Sequence, residues 1–298
     1  MIPLWFAVVL TAYAQTGTEP PPRAVAPEEK SGAVNLNDSE SARKAKVLLA
    51  QTIQALGGEA YLKVESKAQE GRGWALHHGE SREMGRPYRY FERFPDRDRV
   101  ELVGTGHVVV PLPDVGIIVV GHEVKNKSEI VIIHNGDKGY ETTYKGTASQ
   151  DKEELEAYLR RRRHSLDLVL RKWINDPGVE YFYDGLAVVD GKPAERVGLI
   201  NNRNDSVTIF LDQNTHLPVK SSYSWRDPKD KQKNTEDEVY DNYKPEQGIM
   251  TPHAITRYFN GEISHQTYVY KARYNLNMPD SLFEASTTYD PYQPLKRH

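Results

Sequence analysis

The sequence predicts an α+β fold that is mainly β: a strongly curved antiparallel sheet, an open half-barrel of about 11 strands, with two main helices that cover or plug its concave face. Turn sequences such as Asp190-Gly191 and Asn260-Gly261 separate runs of strand-type residues, which is typical of antiparallel strands joined by tight turns. Apolar and polar residues alternate within those runs, so one face of each strand meets apolar groups. A sheet of that many strands must curl.

The N-terminus predicts export. Ile2 to Ala12 is apolar, and Ala12-Tyr13-Ala14 has the small-x-small pattern of a cleavage site. The stretch is too short for a transmembrane helix. We therefore expect four regions: a signal peptide at 1–14, cleaved near Ala14, a Pro-rich linker at 15–37, a single domain at 38–286 and a loose tail at 287–298.

The spacing of apolar residues along the chain predicts two helices. The first covers about 38–56, where apolar residues recur at helical spacing, Asp38 or Ser39 can cap the start, and Gly57-Gly58 ends it. The second covers 151–174 without a break. Its four consecutive arginines, Arg160 to Arg163, cannot share one face, and we interpret them as a solvated surface, with an anion or partner patch as the alternative.

Strands are predicted before and after the second helix. The first, at 66–76, contains Gly71 and Gly73, which indicate a bend or a bulge. The segment 107–121 is nearly all apolar but is broken by two prolines and a glycine, so it cannot span a membrane. It forms either two buried strands joined by a turn, or a hydrophobic loop at a cavity mouth that touches a lipid or a membrane.

The composition and motifs exclude several chemistries. The 298-residue chain has a formal net charge of −3, whereas a general nucleic-acid binder usually carries a basic excess. No cysteine is present, which rules out disulfides, thiolate zinc sites and a cysteine nucleophile. His107, His122 and His134 lie on neighbouring predicted strands near Glu123 but lack zinc-site spacing. We expect no catalytic residue, no metal and no cofactor.

The order of turn and strand patterns carries a resemblance. Ala55-Leu56-Gly57-Gly58 closes the first helix, Asn135-Gly136-Asp137-Lys138-Gly139-Tyr140 forms a hairpin, and Val189-Asp190-Gly191-Lys192-Pro193 follows the second helix. From about Ser39 to Ala285, the chain resembles the outer-membrane lipoprotein-sorting family of LolA/LolB-like carriers. The resemblance implies a periplasmic, non-enzymatic carrier whose open barrel takes the acyl chains of a lipoprotein or lipid, with peripheral membrane contact possible. The arginine that functions in those carriers lies on an early strand, and Arg72 and Arg89 are its possible counterparts.

Two other functions remain open on the same fold. One is a lipid-sensing regulatory module that binds an envelope protein partner, and the other is an uncharacterised envelope enzyme. The candidate ligand-binding residues are those on the apolar strand faces, which either line a cavity or fill a closed core. They are Tyr88, Tyr90, Val100, Leu102, Ile209, Leu211, Tyr223, Trp225, Tyr268 and Tyr270.

Overall fold

A computed structural model describes residues 39–76, 80–81, 85–104, 112–114 and 116–291. The predicted signal peptide and linker lie outside the described residues, as does most of the predicted tail. The described part of the chain belongs to one compact unit, 35–298. Within it, no helix is both long and apolar enough to cross a membrane.

The fold class expected from the sequence is confirmed: the described chain is mainly β and forms one open antiparallel sheet, of 13 strands. Spatially, the order is β6-β5-β4-β3-β2-β1-β13-β12-β11-β10-β9-β8-β7, so the first strand pairs with the last near the middle. The strands are β1 (Ser66–Ala75), β2 (Arg86–Arg93), β3 (Arg97–Leu102), β4 (Ile130–Asn135), β5 (Lys138–Thr143), β6 (Gly146–Ser149), β7 (Glu180–Val189), β8 (Lys192–Ile200), β9 (Ser206–Asp212), β10 (Pro218–Arg226), β11 (Lys233–Glu246), β12 (Ile249–Phe259) and β13 (Glu262–Tyr274).

The first helix, α1 (Glu40–Leu56), forms where the sequence predicts it. The Ser39 side chain accepts a hydrogen bond from the backbone N–H of Ala42, and Gly57 ends the helix with φ 130°. A single turn, α2 (Glu59–Leu62), follows.

The predicted continuous helix at 151–174 is wrong. The chain forms α3 (Lys152–Arg163), then α4 (Leu166–Arg171), then a 3₁₀ turn at Trp173–Asn175. The break falls at His164 and Ser165, because the Ser165 hydroxyl accepts a hydrogen bond from Leu168 N–H and so starts a new helix. The break allows α3 and α4 to contact different parts of the sheet.

The main core lies between α1, α4 and strands β7 to β10, which together we call the filled half. Its fully buried side chains include Leu170 of α4 and Val197, Ile209 and Leu211 of the sheet. Seven residues of α1 are buried here: Ala42, Ala45, Leu48, Leu49, Thr52, Ile53 and Leu56. Since no side chain in this set is exposed, this part of the concave face is closed.

A second, smaller core lies on the outer face of the sheet. Phe91 of β2 packs there under Leu112, Val119 and a second 3₁₀ turn, Asp280–Phe283. The remaining members of this core are Ala68, Leu276, Met278, Leu282 and Phe283.

The segment 107–121 contributes to this outer core. The two buried strands expected there do not appear in its described residues, which make one isolated bridge, between Ile118 and Asn277. Leu112 and Val119 are buried, whereas Ile117, Ile118 and Val120 are exposed. Residues 105–111 and 115 lie outside the described part of the chain. The described residues therefore form a loop over the outer face.

Candidate ligand-binding cavity

A cavity of about 1000 Å³ occupies the rest of the concave face. Strands β1 to β4 and β11 to β13 form its walls, and α3 and α4 lie across it; we call this region the open half. Its apolar lining includes Leu56, Val64, Trp74, Leu76, Phe94, Val100, Leu102, Ile132, Leu166, Ile249, Met250 and Ile255. Seven tyrosines also line it: Tyr61, Tyr88, Tyr90, Tyr158, Tyr240, Tyr243 and Tyr274.

The open half stays open because α3 cannot fill it. No residue of α3 is fully buried, and eight of its twelve residues are charged in the sequence KEELEAYLRRRR. Such a helix has too narrow an apolar stripe to pack down on a sheet. It spans the cavity and leaves the strand faces beneath it uncovered.

The ten candidate ligand-binding residues divide into three groups. Tyr88, Tyr90, Val100 and Leu102 lie on the cavity wall. Ile209, Leu211 and Tyr223 are buried in the core of the filled half, and Trp225 packs against that core. Tyr268 and Tyr270 are exposed, with 45% and 64% of their surface accessible, and neither lines the cavity.

A β-bulge in β13 explains why Tyr268 and Tyr270 do not line the cavity. The pairing of β1 with β13 shifts between Glu70 and Gly71, so that Tyr270 is the extra residue on β13. An extra residue reverses which side chains face the cavity, so Thr267 and Tyr274 both line it although strict alternation would separate them. A Cβ at Gly71 would lie 2.1 Å from the carbonyl oxygen of Tyr268, and glycine is therefore required at the bulge.

A partly buried ion cluster lies where α4 meets β1 and β2. The Lys67 ammonium is 3.0 Å from the carboxylates of both Glu92 and Asp167, and the Tyr61 hydroxyl donates to Asp167 at 2.9 Å. Burial raises the pKa of Glu92. Burial also acts to raise the pKa of Asp167, but the adjacent Lys67 charge holds it below its usual value.

A second polar contact attaches α3 to strands β3 and β4. The Tyr158 ring stacks on His134 with 3.4 Å between ring centroids, and its hydroxyl donates to Asp98. Asp98 also lies 2.7 Å from His134 Nδ1, and His134 Nε2 is 2.9 Å from Gln150.

The opposite wall carries a third polar cluster. Arg257 donates two hydrogen bonds to Glu238, at 2.8 and 3.1 Å, and its Nε lies 3.4 Å from Glu236. Arg161 of α3 approaches the same Glu236 at 3.7 Å. Burial, together with the nearby Arg257 and Arg161 charges, lowers the pKa of His265 to about 4, so this imidazole is neutral near pH 7. The cavity wall therefore combines apolar and aromatic side chains with three clusters of polar and charged groups.

The structure locates the arginines that the sequence analysis named. Arg72 donates to the Gly85 carbonyl, and Arg89 is buried beside Glu101 at 2.6 Å, and neither lines the cavity. Two of the arginines expected to be solvated, Arg161 and Arg162, do line it. Consecutive helical residues are about 100° apart, so four in a row must turn at least one toward the protein. This angular spacing is the feature of the sequence from which a cavity-facing arginine could have been predicted.

The described residues contain no cluster of three metal-ligating side chains. His134 lies on the cavity wall, whereas His122 pairs with Glu129 at 3.1 Å. His107 lies outside the described part of the chain.

An open sheet curved around helices, with a cavity beside a packed core, defines a half-barrel fold, and a solved structure shares it. A DUF1329 family protein from Desulfovibrio piger has a TM-score of 0.51 at 12% identity, over 80% of this chain and 97% of that one. No family model and no curated protein sequence matches the chain.

Two further solved structures are similar at lower scores. A domain classed as an outer-membrane lipoprotein-sorting protein, from Vibrio parahaemolyticus, has a TM-score of 0.48 at 11% identity, over 80% and 97% of the two chains. A LolA superfamily protein from Nitrosomonas europaea has a TM-score of 0.46 at 12% identity, over 81% and 97%. Proteins named for the family that the sequence resembles are therefore among the solved structures to which this chain is similar.

Proposed function

We propose that this protein is a periplasmic, non-enzymatic carrier that holds the acyl chains of a lipoprotein or lipid in the open half. The observation that carries the proposal is the cavity itself. Its volume of about 1000 Å³ lies at the upper end of small-molecule sites, and aliphatic and aromatic side chains form most of its wall.

The energetics of such binding need no reactive group. Each methylene transferred from water contributes about 0.8 kcal/mol, so ten buried methylenes contribute about 8 kcal/mol before the cost of association. The signal-peptide pattern at residues 1–14 supports a location in the periplasm, where such a carrier would meet its cargo in peripheral contact with membranes.

The proposal is tested by extracting the purified protein with organic solvent for mass spectrometry, and by titrating it with a fluorescent fatty acid. We expect co-purified acyl lipids and saturable binding. Val100→Trp, which places a large ring in the cavity, should weaken binding at least about tenfold. Val188→Trp, at an exposed position of β7 that does not line the cavity, is the matched control and should have no effect. Absence of both extracted lipid and saturable binding would reject the carrier.

A further inference from the structure

Arg161 differs from the other cations of the cavity. Its side chain lines the wall and is 33% exposed. Within the described chain, none of its N–H groups donates a hydrogen bond, and its nearest ion-pair contact is the 3.7 Å approach to Glu236. A guanidinium offers five N–H donors in a planar fork, so donors of Arg161 are left to a ligand or to water.

The other five lining cations are already engaged. Arg257 donates to Glu238, and Lys67 is held between Glu92 and Asp167. Backbone carbonyls accept from the remaining three: Arg86 donates to Ser128, Arg162 to Gly136 and Arg171 to Val64. Arg161 therefore differs from the four other arginines and the one lysine that line the same cavity.

The surrounding charges leave Arg161 only partly compensated. Burial, followed by the charge of Arg257, lowers its pKa, so the site disfavours the cation as it stands. Two carboxylates also face it. Glu238 is occupied by Arg257, and Glu236 lies 3.4 Å from Arg257 as well as 3.7 Å from Arg161, so neither carboxylate is paired with Arg161 alone.

We propose that Arg161 binds the acidic group of an acyl-chain ligand, a carboxylate or a phosphate, while the chain lies against Tyr88, Tyr90, Val100 and Leu102. This inference rests on the proposed carrier function and specifies its ligand class. A planar guanidinium pairs with either anion through two parallel hydrogen bonds.

The test compares three ligands of equal chain length, palmitate, hexadecyl phosphate and methyl palmitate, by displacement of the neutral dye N-phenyl-1-naphthylamine. We expect Arg161→Gln to lower the affinity for palmitate and hexadecyl phosphate by about 10- to 100-fold and to leave methyl palmitate unchanged. Arg161→Lys should retain part of the preference for the two acidic ligands over methyl palmitate. The control Arg163→Gln makes the same charge change at an exposed position of the same helix and should change nothing.

Competition with free inorganic phosphate distinguishes a site for the acidic group of a lipid from a site for a free anion. We expect millimolar phosphate not to displace palmitate, because the chain supplies most of the affinity. Displacement by phosphate alone, or equal binding of palmitate and methyl palmitate, overturns the inference. If the Arg161→Gln variant has the same unfolding temperature as the wild-type protein and binds palmitate with the same affinity, the inference is also wrong. Failure of all three ligands to displace the dye would instead reject the carrier function itself.

Discussion

The filled and open halves of the concave face are made of the same kind of alternating strands, but α1 lies over the first and α3 over the second, while α4 contacts both. In the filled half, α1 brings seven buried residues against the sheet. In the open half, α3 brings none. Burying an aliphatic side chain contributes about 1.5–3 kcal/mol, whereas an exposed ion pair contributes about 0–1 kcal/mol. The apolar stripe of the covering helix therefore decides whether a strand face becomes core or cavity.

The boundary between the halves is shared. Leu56 at the end of α1 and Tyr61 of α2 belong both to the core and to the cavity wall. Beyond them, the open half is stabilised by buried polar groups, so substitutions in the two halves should have different consequences.

The largest effect is expected for Lys67→Met. This change leaves the Glu92 and Asp167 carboxylates without the ammonium that lies 3.0 Å from each. Breaking a fully buried ion pair costs about 3–5 kcal/mol, which is the upper bound for this partly buried cluster. Urea unfolding followed by circular dichroism measures it. The triple variant that adds Glu92→Gln and Asp167→Asn should recover most of the loss, and failure to recover would show that packing of the Lys67 chain is responsible.

The next comparison removes one aliphatic side chain from each half. Ile209→Ala in the filled half creates a cavity in a fully buried site and should destabilise the protein by about 2–5 kcal/mol. Leu102→Ala on the open wall should cost only about 1 kcal/mol, because its side chain already faces a cavity, yet it should weaken fatty-acid binding. Equal losses of stability would show that the two halves are packed alike.

Acid should destabilise the open half through His265. Its pKa is about 4 in the folded protein and 6.5 ordinarily, so the unfolded chain takes up a proton first as the pH falls. Stability from this group is therefore present above pH 6.5 and is lost between pH 6.5 and 4, by at most about 3 kcal/mol. His265→Gln should lack this part of the acid loss, which parallel urea titrations at pH 7 and pH 4.5 can measure. Identical pH dependence in both proteins would contradict the assignment.

The smallest effect concerns Tyr88, which is 7% exposed and whose hydroxyl has no hydrogen-bond partner within the described chain. Tyr88→Phe should change the stability by less than about 0.5 kcal/mol, because no hydrogen bond is lost. Tyr240→Phe is the control in the same cavity. Its hydroxyl contacts Ser221 at 2.8 Å and Glu238 at 3.0 Å, and we expect a cost of about 1–2 kcal/mol. Thermal unfolding ranks the two variants.

The sequence predicted the fold more completely than it predicted the candidate site. The Ser39 cap, the Gly57 stop and the strand alternation are local signals, and they predicted α1 and the antiparallel sheet. The break at Ser165 was missed, because a single hydroxyl decides it. The bulge was indicated by Gly71, but the glycine alone does not show that Tyr270 is the extra residue on β13. Ile209 and Val100 are equivalent in the sequence pattern, and only the helix above each strand separates core from cavity.

Photo-crosslinking with a diazirine fatty acid tests the central claim most directly, since it reports which half of the concave face holds the chain. We predict saturable labelling of peptides that contain Tyr88 to Leu102 and Ile249 to Arg257, competed by unlabelled palmitate. Labelling concentrated on α1 and β9, or on the loop with Ile117 and Ile118 on the outer face, would contradict the account.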